Sequence, residues 1–166
     1  MSVPRIHDYA IIGDSRSAAL VSSMGSIDWL CWPRFESASL FAAILDPSAG
    51  GSWRIGPAAG PPFSTRRRYA EDSNVLVTEF HTDDGLVRLT DLMPILSEEE
   101  KKRMLVPEHQ ILRVVECVDG EAEIEVRFEP RPDYGRRAVR LRSSPSLGIR
   151  VEDGPHLYTF CSEAPI

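Results

Sequence analysis

Cysteine is scarce in this sequence: Cys31, Cys117 and Cys161 are odd in number, far apart and never arranged as CxxC. A secreted domain held by disulfides carries a denser, even set. The spacing therefore predicts reduced thiols in a cytoplasmic protein, with Cys31 and Cys117 buried. Long apolar runs are missing as well. No stretch approaches the length that crosses a bilayer, and the start MSVPRIHDYA lacks the charged and apolar regions of a secretory signal. A basic excess is also absent. The 25 Asp and Glu against 19 Lys and Arg leave a net charge of −6, which argues against a nucleic-acid partner. The basic runs Arg66–Arg68 and Arg136–Arg142 are local and read as solvated strand faces or salt-bridge partners. His7, His81, His109 and His156 are scattered with no zinc-type spacing, so no metal is expected. Gly13 lacks the further glycines and lysine of a phosphate loop, and no internal repeat or low-complexity tract occurs.

What is present is β signal. Hydrophobic residues at 42% and charged residues at 27% are ordinary for a globular chain, and 166 residues suggest one domain. Glu121–Glu129 alternates strictly, with Ala122, Ile124, Val126 and Phe128 between charges, as a strand with one wet face does. Asp119-Gly120 before it predicts a hairpin with His109–Val118, and Asp84-Gly85 predicts another between Asn74–Thr82 and Leu86–Pro94. Further strands are expected at Tyr9–Gly13, Ala18–Ser22, Ser26–Leu30, Ser52–Ile55, Arg137–Ser143 and Leu157–Cys161. One helix is expected at Ser37–Leu45, capped by serine and stopped by Asp46-Pro47. Ser97–Arg103 reads as a second short helical turn or a mobile loop, and Gly56–Pro62 as a loop crossing between sheets. The expected fold is an all-β antiparallel sandwich.

The densest chemistry lies between Ile6 and Pro57, where Asp14, Arg16, Asp28, Trp29, Trp32, Arg34, Phe35 and Glu36 crowd onto turn-rich backbone. Polar and aromatic groups on loops mark a binding surface. The same stretch reads Asp8-Tyr9-Ala10, Ile12-Gly13-Asp14, Arg16, Ala18 to Val21, Gly25 to Cys31, Pro33-Arg34-Phe35 and Phe41-Ala42-Ala43. Later blocks are Arg67-Arg68-Tyr69 with Asn74-Val75-Leu76, Leu89 to Pro94, and Pro130-Arg131 with Asp133 to Arg136. In this order the blocks resemble the amino-terminal module of bacterial and archaeal glycoside hydrolase family 15 proteins, the glucoamylase and trehalase-like group. Ser17, Met24 and Glu36 depart from that pattern, standing where Thr, Asp and Asp are usual.

The resemblance implies a supersandwich-like β domain that precedes a catalytic α/α barrel of the same polypeptide. No barrel is contained within residues 1–166, so the chain reads as a fragment of a two-domain enzyme and no catalytic residue is carried over. It further implies hydrolysis of trehalose or an oligosaccharide in the barrel, with no organic cofactor. The alternative is a stand-alone carbohydrate-binding or scaffolding module that meets sugars through exposed Trp32 or Trp53.

Two roles are open to the segment from Asp28 to Glu36. In the structural one, Trp29 is core while Asp28 and Arg34 pin the turn by a salt bridge and hydrogen bonds. In the binding one, an aromatic face meets a pyranose ring, with Arg34 and a carboxylate reaching its hydroxyls. Asp14 and Arg16 divide the same way, into a side-chain-capped turn with a solvated arginine or a guanidinium beside Arg34 at the pocket. Asp14, Asp28 and Glu36 also supply carboxylates, but glycoside cleavage needs two of them about 5 to 9 Å apart across one cleft. Asp133 to Arg136 is expected to form a structural corner.

Overall fold

The computed structural model describes residues 5–58, 62–103, 109–137, 139–144 and 148–163, without the side chains of 98, 101 and 144. Among them thirteen strands form three antiparallel sheets. The first sheet runs in the order β1 (Tyr9–Gly13), β2 (Ala18–Ser22), β3 (Ser26–Cys31), β5 (Ser52–Pro57), β10 (Ile124–Glu129), with β4 (Ser39–Phe41) attached to β3. The second is β6 (Ser64–Tyr69), β7 (Leu76–His81), β8 (Gly85–Leu92), β9 (Leu112–Gly120). The third is β11 (Arg140–Ser144), β12 (Gly148–Asp153), β13 (His156–Phe160). The short helix α1 spans Glu98–Arg103.

The period of two in the sequence builds the core. On β8, Val87, Leu89 and Asp91 are buried and alternate with Arg88, Thr90 and Leu92. Their faces meet the first sheet in two apolar clusters. One joins Ile12, Val21, Ile27, Leu30 and Phe41 to Leu76 and Met93, and the other joins Ile55 to Phe80, Val87 and Leu89. Burial of Phe41 or Phe80 contributes roughly 1.5–3 kcal/mol each. The two larger sheets are therefore a sandwich. The third sheet joins it through Phe160, which stacks on Phe128 at 4.6 Å and meets the Trp53 ring edge-on at 5.4 Å.

Gly25 shows how tightly the sheets are joined. It sits at φ +73°, and a Cβ there would lie 2.1 Å from the Ile55 carbonyl oxygen of its own sheet, 3.0 Å from Phe80 Cζ and 3.2 Å from Leu89 Cδ2 of the facing one. Only glycine fits that turn. The Asp91–Arg113 pair adds a polar bolt. Both side chains are fully buried, and Arg113 Nε donates to Asp91 Oδ1 at 2.8 Å. Its Nη1 and Nη2 donate to the carbonyls of Trp53 at 2.6 Å and Gly25 at 2.7 Å, while the guanidinium lies 5.0 Å from the Trp53 ring centroid. A buried arginine is tolerable when its N–H groups are satisfied this fully.

Three sequence expectations are corrected. Residues 37–45 are not a helix: Ser39, Leu40 and Phe41 are buried in β4, which pairs Phe41 with Leu30 and Ser39 with Cys31. Beyond it the amides of Ala42 and Ala43 donate to the carbonyls of Gly50 and Gly51, partners outside the segment that take the place of helical ones. Asp119-Gly120 does not close a hairpin either. β9 pairs with β8 and β10 with β5, so this turn carries the chain from one sheet to the other. Cys117 is exposed rather than buried, because β9 ends its sheet; Cys31 is buried, and none of the three cysteines forms a disulfide.

Other expectations hold. Thr82 and Gly85 close the hairpin of β7 and β8. The connection expected at 56–62 does lead from one sheet to the other, although Gly56 and Pro57 belong to β5 and 59–61 lie outside the described residues. Of the two readings of 97–103 the helix is found. Ser97 Oγ accepts from Glu100 N, and Glu100 Oε2 accepts from Ser97 N at 2.9 Å, a reciprocal cap. Residues 66–68 lie on β6, where Arg66 and Arg68 face solvent and Arg67 donates to the Val21 carbonyl.

Candidate functional site

Two connections at one end of the first sheet carry most of the candidate residues. In the first, between β1 and β2, Asp14 Oδ1 accepts from the amides of Arg16 at 2.9 Å and Ser17 at 2.8 Å. That is a side-chain-capped turn, formed because a short carboxylate reaches amides two and three residues ahead. In the second, between β3 and β4, the Trp32–Pro33 peptide is cis, Arg34 N donates to Ser37 Oγ at 3.2 Å and Ser37 N to the Arg34 carbonyl at 3.0 Å. Two bonds tie the connections together: Phe35 N donates to the Arg16 carbonyl at 2.9 Å, and Ser17 Oγ donates to the Cys31 carbonyl.

The candidate residues fall into three environments. Arg34, Phe35 and Glu36 stand exposed at the tip, with Phe35 60% accessible and Arg34 3.7 Å from Glu36. An ion pair this exposed contributes little to stability. Trp32 is half-buried against the core, and its ring meets His109 edge-on at 5.7 Å. His109 in turn places Nδ1 4.0 Å from Asp14 Oδ2. His109 thus links Asp14 to Trp32, a connection the sequence did not signal because 109 is remote from both loops.

Asp28 and Trp29 point elsewhere. Asp28 is buried, accepting from Tyr9 Oη at 2.9 Å and Ser26 Oγ at 2.5 Å. Burial raises its carboxyl above the ordinary value, opposed by the hydrogen bonds of Ser26 and Tyr9 and by the charge of Arg113. Burial likewise raises the Tyr9 phenol, assisted by its bond to Asp28. Asp28 therefore does not reach Arg34, whose side chain takes Glu36 instead. Trp29 is half-buried with its ring 6.2 Å from Tyr134. Tyr134 belongs to the expected corner, where Asp133, Tyr134 and Gly135 all have positive φ and the amides of Asp133 and Tyr134 donate to the carbonyl and Oγ of Ser39.

The three carboxylates are engaged separately: Asp14 caps its turn, Asp28 accepts from Tyr9 and Ser26, and Glu36 is exposed beside Arg34. Trp53 is enclosed by Phe128, Phe160 and Arg113, so it offers no open sugar platform. The exposed tip can do something different. An aromatic ring, a guanidinium and a carboxylate on one pinned loop can stack on an apolar sugar face and hydrogen-bond hydroxyls or a neighbouring domain. No helix among the described residues is long and apolar enough to cross a membrane.

The described residues form a β-sandwich with an exposed loop, Trp32–Glu36, fastened at its base by Ser37 and Arg16. The chain belongs to the family described as trehalase-like, N-terminal, whose sequence profile matches residues 1–162. It is 36% identical over 159 residues to the trehalase of Mycolicibacterium smegmatis, covering 89% of this chain and 24% of that protein. It is 36% identical over 143 residues to the trehalase of Mycobacterium tuberculosis, covering 80% and 21%, and 37% identical over 134 residues to that of Thermoplasma volcanium, again 80% and 21%. The chain thus spans less than a quarter of the length of these curated relatives. No solved structure matches it.

Proposed function

We propose that this chain is the non-catalytic amino-terminal domain of a cytoplasmic glycoside hydrolase family 15 enzyme acting on trehalose or a related oligosaccharide. It packs against a catalytic α/α barrel of the same polypeptide and lends the Trp32–Glu36 loop to the edge of the sugar pocket. The carrying observation is that loop: its backbone is fastened by Ser37 and Arg16, yet Arg34, Phe35 and Glu36 are exposed, with Arg34 and Glu36 paired only at the surface. Family membership and relatives named as trehalases support the enzyme class. Hydrolysis is assigned to the barrel, in keeping with Asp14 and Asp28 being engaged within this domain.

Arg34→Ala in the native enzyme should lower kcat/KM for trehalose by roughly 10-fold, the worth of about 1.4 kcal/mol, with the melting temperature unchanged. Unchanged kinetics would remove the loop from the pocket, and a lowered melting temperature would return Arg34 to a structural role.

A further inference from the structure

His109, shortly before β9, carries two unfavourable features at once. Its backbone sits at φ +61°, in the left-handed region that residues with a Cβ rarely take. Its Nδ1 is buried and has no hydrogen-bond partner among the described residues. A buried nitrogen left unmatched opposes folding, and strained backbone gathers where a site needs a group held ready. The surroundings show what this nitrogen is held for. The facing acceptor is Asp14 Oδ2 at 4.0 Å, too far for a hydrogen bond but near enough that a shift of about 1 Å makes one. Asp14 has that oxygen to spare, since Oδ1 alone takes the amides of Arg16 and Ser17. The same imidazole meets the ring of Trp32, the first residue of the Trp32–Glu36 loop, edge-on at 5.7 Å. The Asp14 turn is in turn tied to the loop tip, where Phe35 N donates to the Arg16 carbonyl. His109 therefore stands between two fastenings of the loop, one at Trp32 and one at Phe35.

We propose that His109 is the positioning residue of the Trp32–Glu36 loop: with the sugar pocket filled, its Nδ1–H donates to Asp14 Oδ2, and the closed pair sets where Trp32 and Phe35 stand. This rests on reading that loop as an edge of the pocket. The imidazole side chain is 24% exposed and the Asp14 side chain 9%, so water still reaches the pair from one side. A sugar lying over Trp32 excludes that water, and a hydrogen bond to a carboxylate gains strength as water leaves. As the ring moves toward Asp14, Trp32 follows through the edge contact and Phe35 through the Arg16 carbonyl. His109 acts on the sugar only through these neighbours.

Variants of the native polypeptide separate this role from packing. His109→Gly removes the ring, His109→Asn keeps a donor near the place of Nδ1, and both new residues accept a positive φ. His109→Gly should raise KM for trehalose about 10-fold with kcat retained, the worth of one hydrogen bond to a charged group, and His109→Asn should restore KM. An unchanged KM beside an impaired Arg34→Ala would overturn the proposal while leaving the loop at the pocket. Loss of kcat in place of a raised KM, or Asn no better than Gly, would overturn it too. Native kinetics in both His109→Gly and Arg34→Ala would remove the loop from the pocket, and this role with it. Should His109→Gly not fold, nitrogen-15 NMR of the native imidazoles decides. The His109 Nδ1 signal should shift when a non-hydrolysable trehalose analogue saturates the enzyme, and a signal that stays fixed refutes the closing pair.

Discussion

Arg113 and Asp91 hold opposite charges where neither meets water. Desolvating two ions costs several kcal/mol, recovered here through the carboxylate, two backbone carbonyls and the Trp53 ring. Removing one partner strands the other. Arg113→Met should therefore lower unfolding free energy by about 3–5 kcal/mol, and the double change Asp91→Leu with Arg113→Met should recover much of it. Urea midpoints read this, and equal losses in single and double variants would show that the charge is not what matters. Asp28 gives a second test. Because burial raises its folded-state pKa above the unfolded value of about 3.9, its contribution is full below that pH and is lost as pH climbs through the raised value. Asp28→Asn keeps an acceptor but no charge, so stability should fall less between acid and neutral pH; parallel profiles would clear Asp28 of the effect. Asp91 was legible, standing at an inward position of the alternation Val87, Leu89, Asp91, Met93. Its partner was not, because strand pairing alone sets Arg113 opposite it.

At the scale of elements, two Asp-Gly pairs that look alike have different fates. The first closes a hairpin since Leu76–His81 and Gly85–Leu92 are each other's partners. The second has φ +68° at Gly120, and Glu121 N bonds to the Asp84 carbonyl, which turns the chain away toward β5. Local sequence encodes a turn in both cases, but the destination of β10 is written in residues 52–57. A Cβ on Gly120 would meet the Asp84 carbonyl oxygen at 2.1 Å. Gly120→Ala should cost about 1–3 kcal/mol, seen as a lower melting temperature, and a neutral result would mean that this corner is free to relax. The misplaced helix has the same cause. SASLFAAIL offers helical residues, but β3 provides buried backbone partners that a short isolated helix cannot match.

For the whole molecule, the sandwich and its strand-rich organisation were readable because alternation repeats along the chain. The candidate site was readable only as a crowd. Folding separates Asp28 into the interior, holds Trp32 against His109 and leaves Arg34, Phe35 and Glu36 outside, a sorting that no spacing in the sequence encodes. The Gly25 turn and the Arg113 bolt join the two larger sheets, so they should unfold together. Tryptophan fluorescence, which includes Trp53 beside the bolt, and far-ultraviolet circular dichroism should give coincident transitions; separated midpoints would mean that the sheets are independent.

The bolt also limits how this domain can be recombined. Its ring, its anion and its cation come from Trp53, Asp91 and Arg113, on three different strands. A crossover with a relative anywhere between 53 and 113 takes some of these from one parent and the rest from the other. Grafts are safest when that whole interval travels intact, even though the loop one would want to exchange lies upstream of it at 32–36.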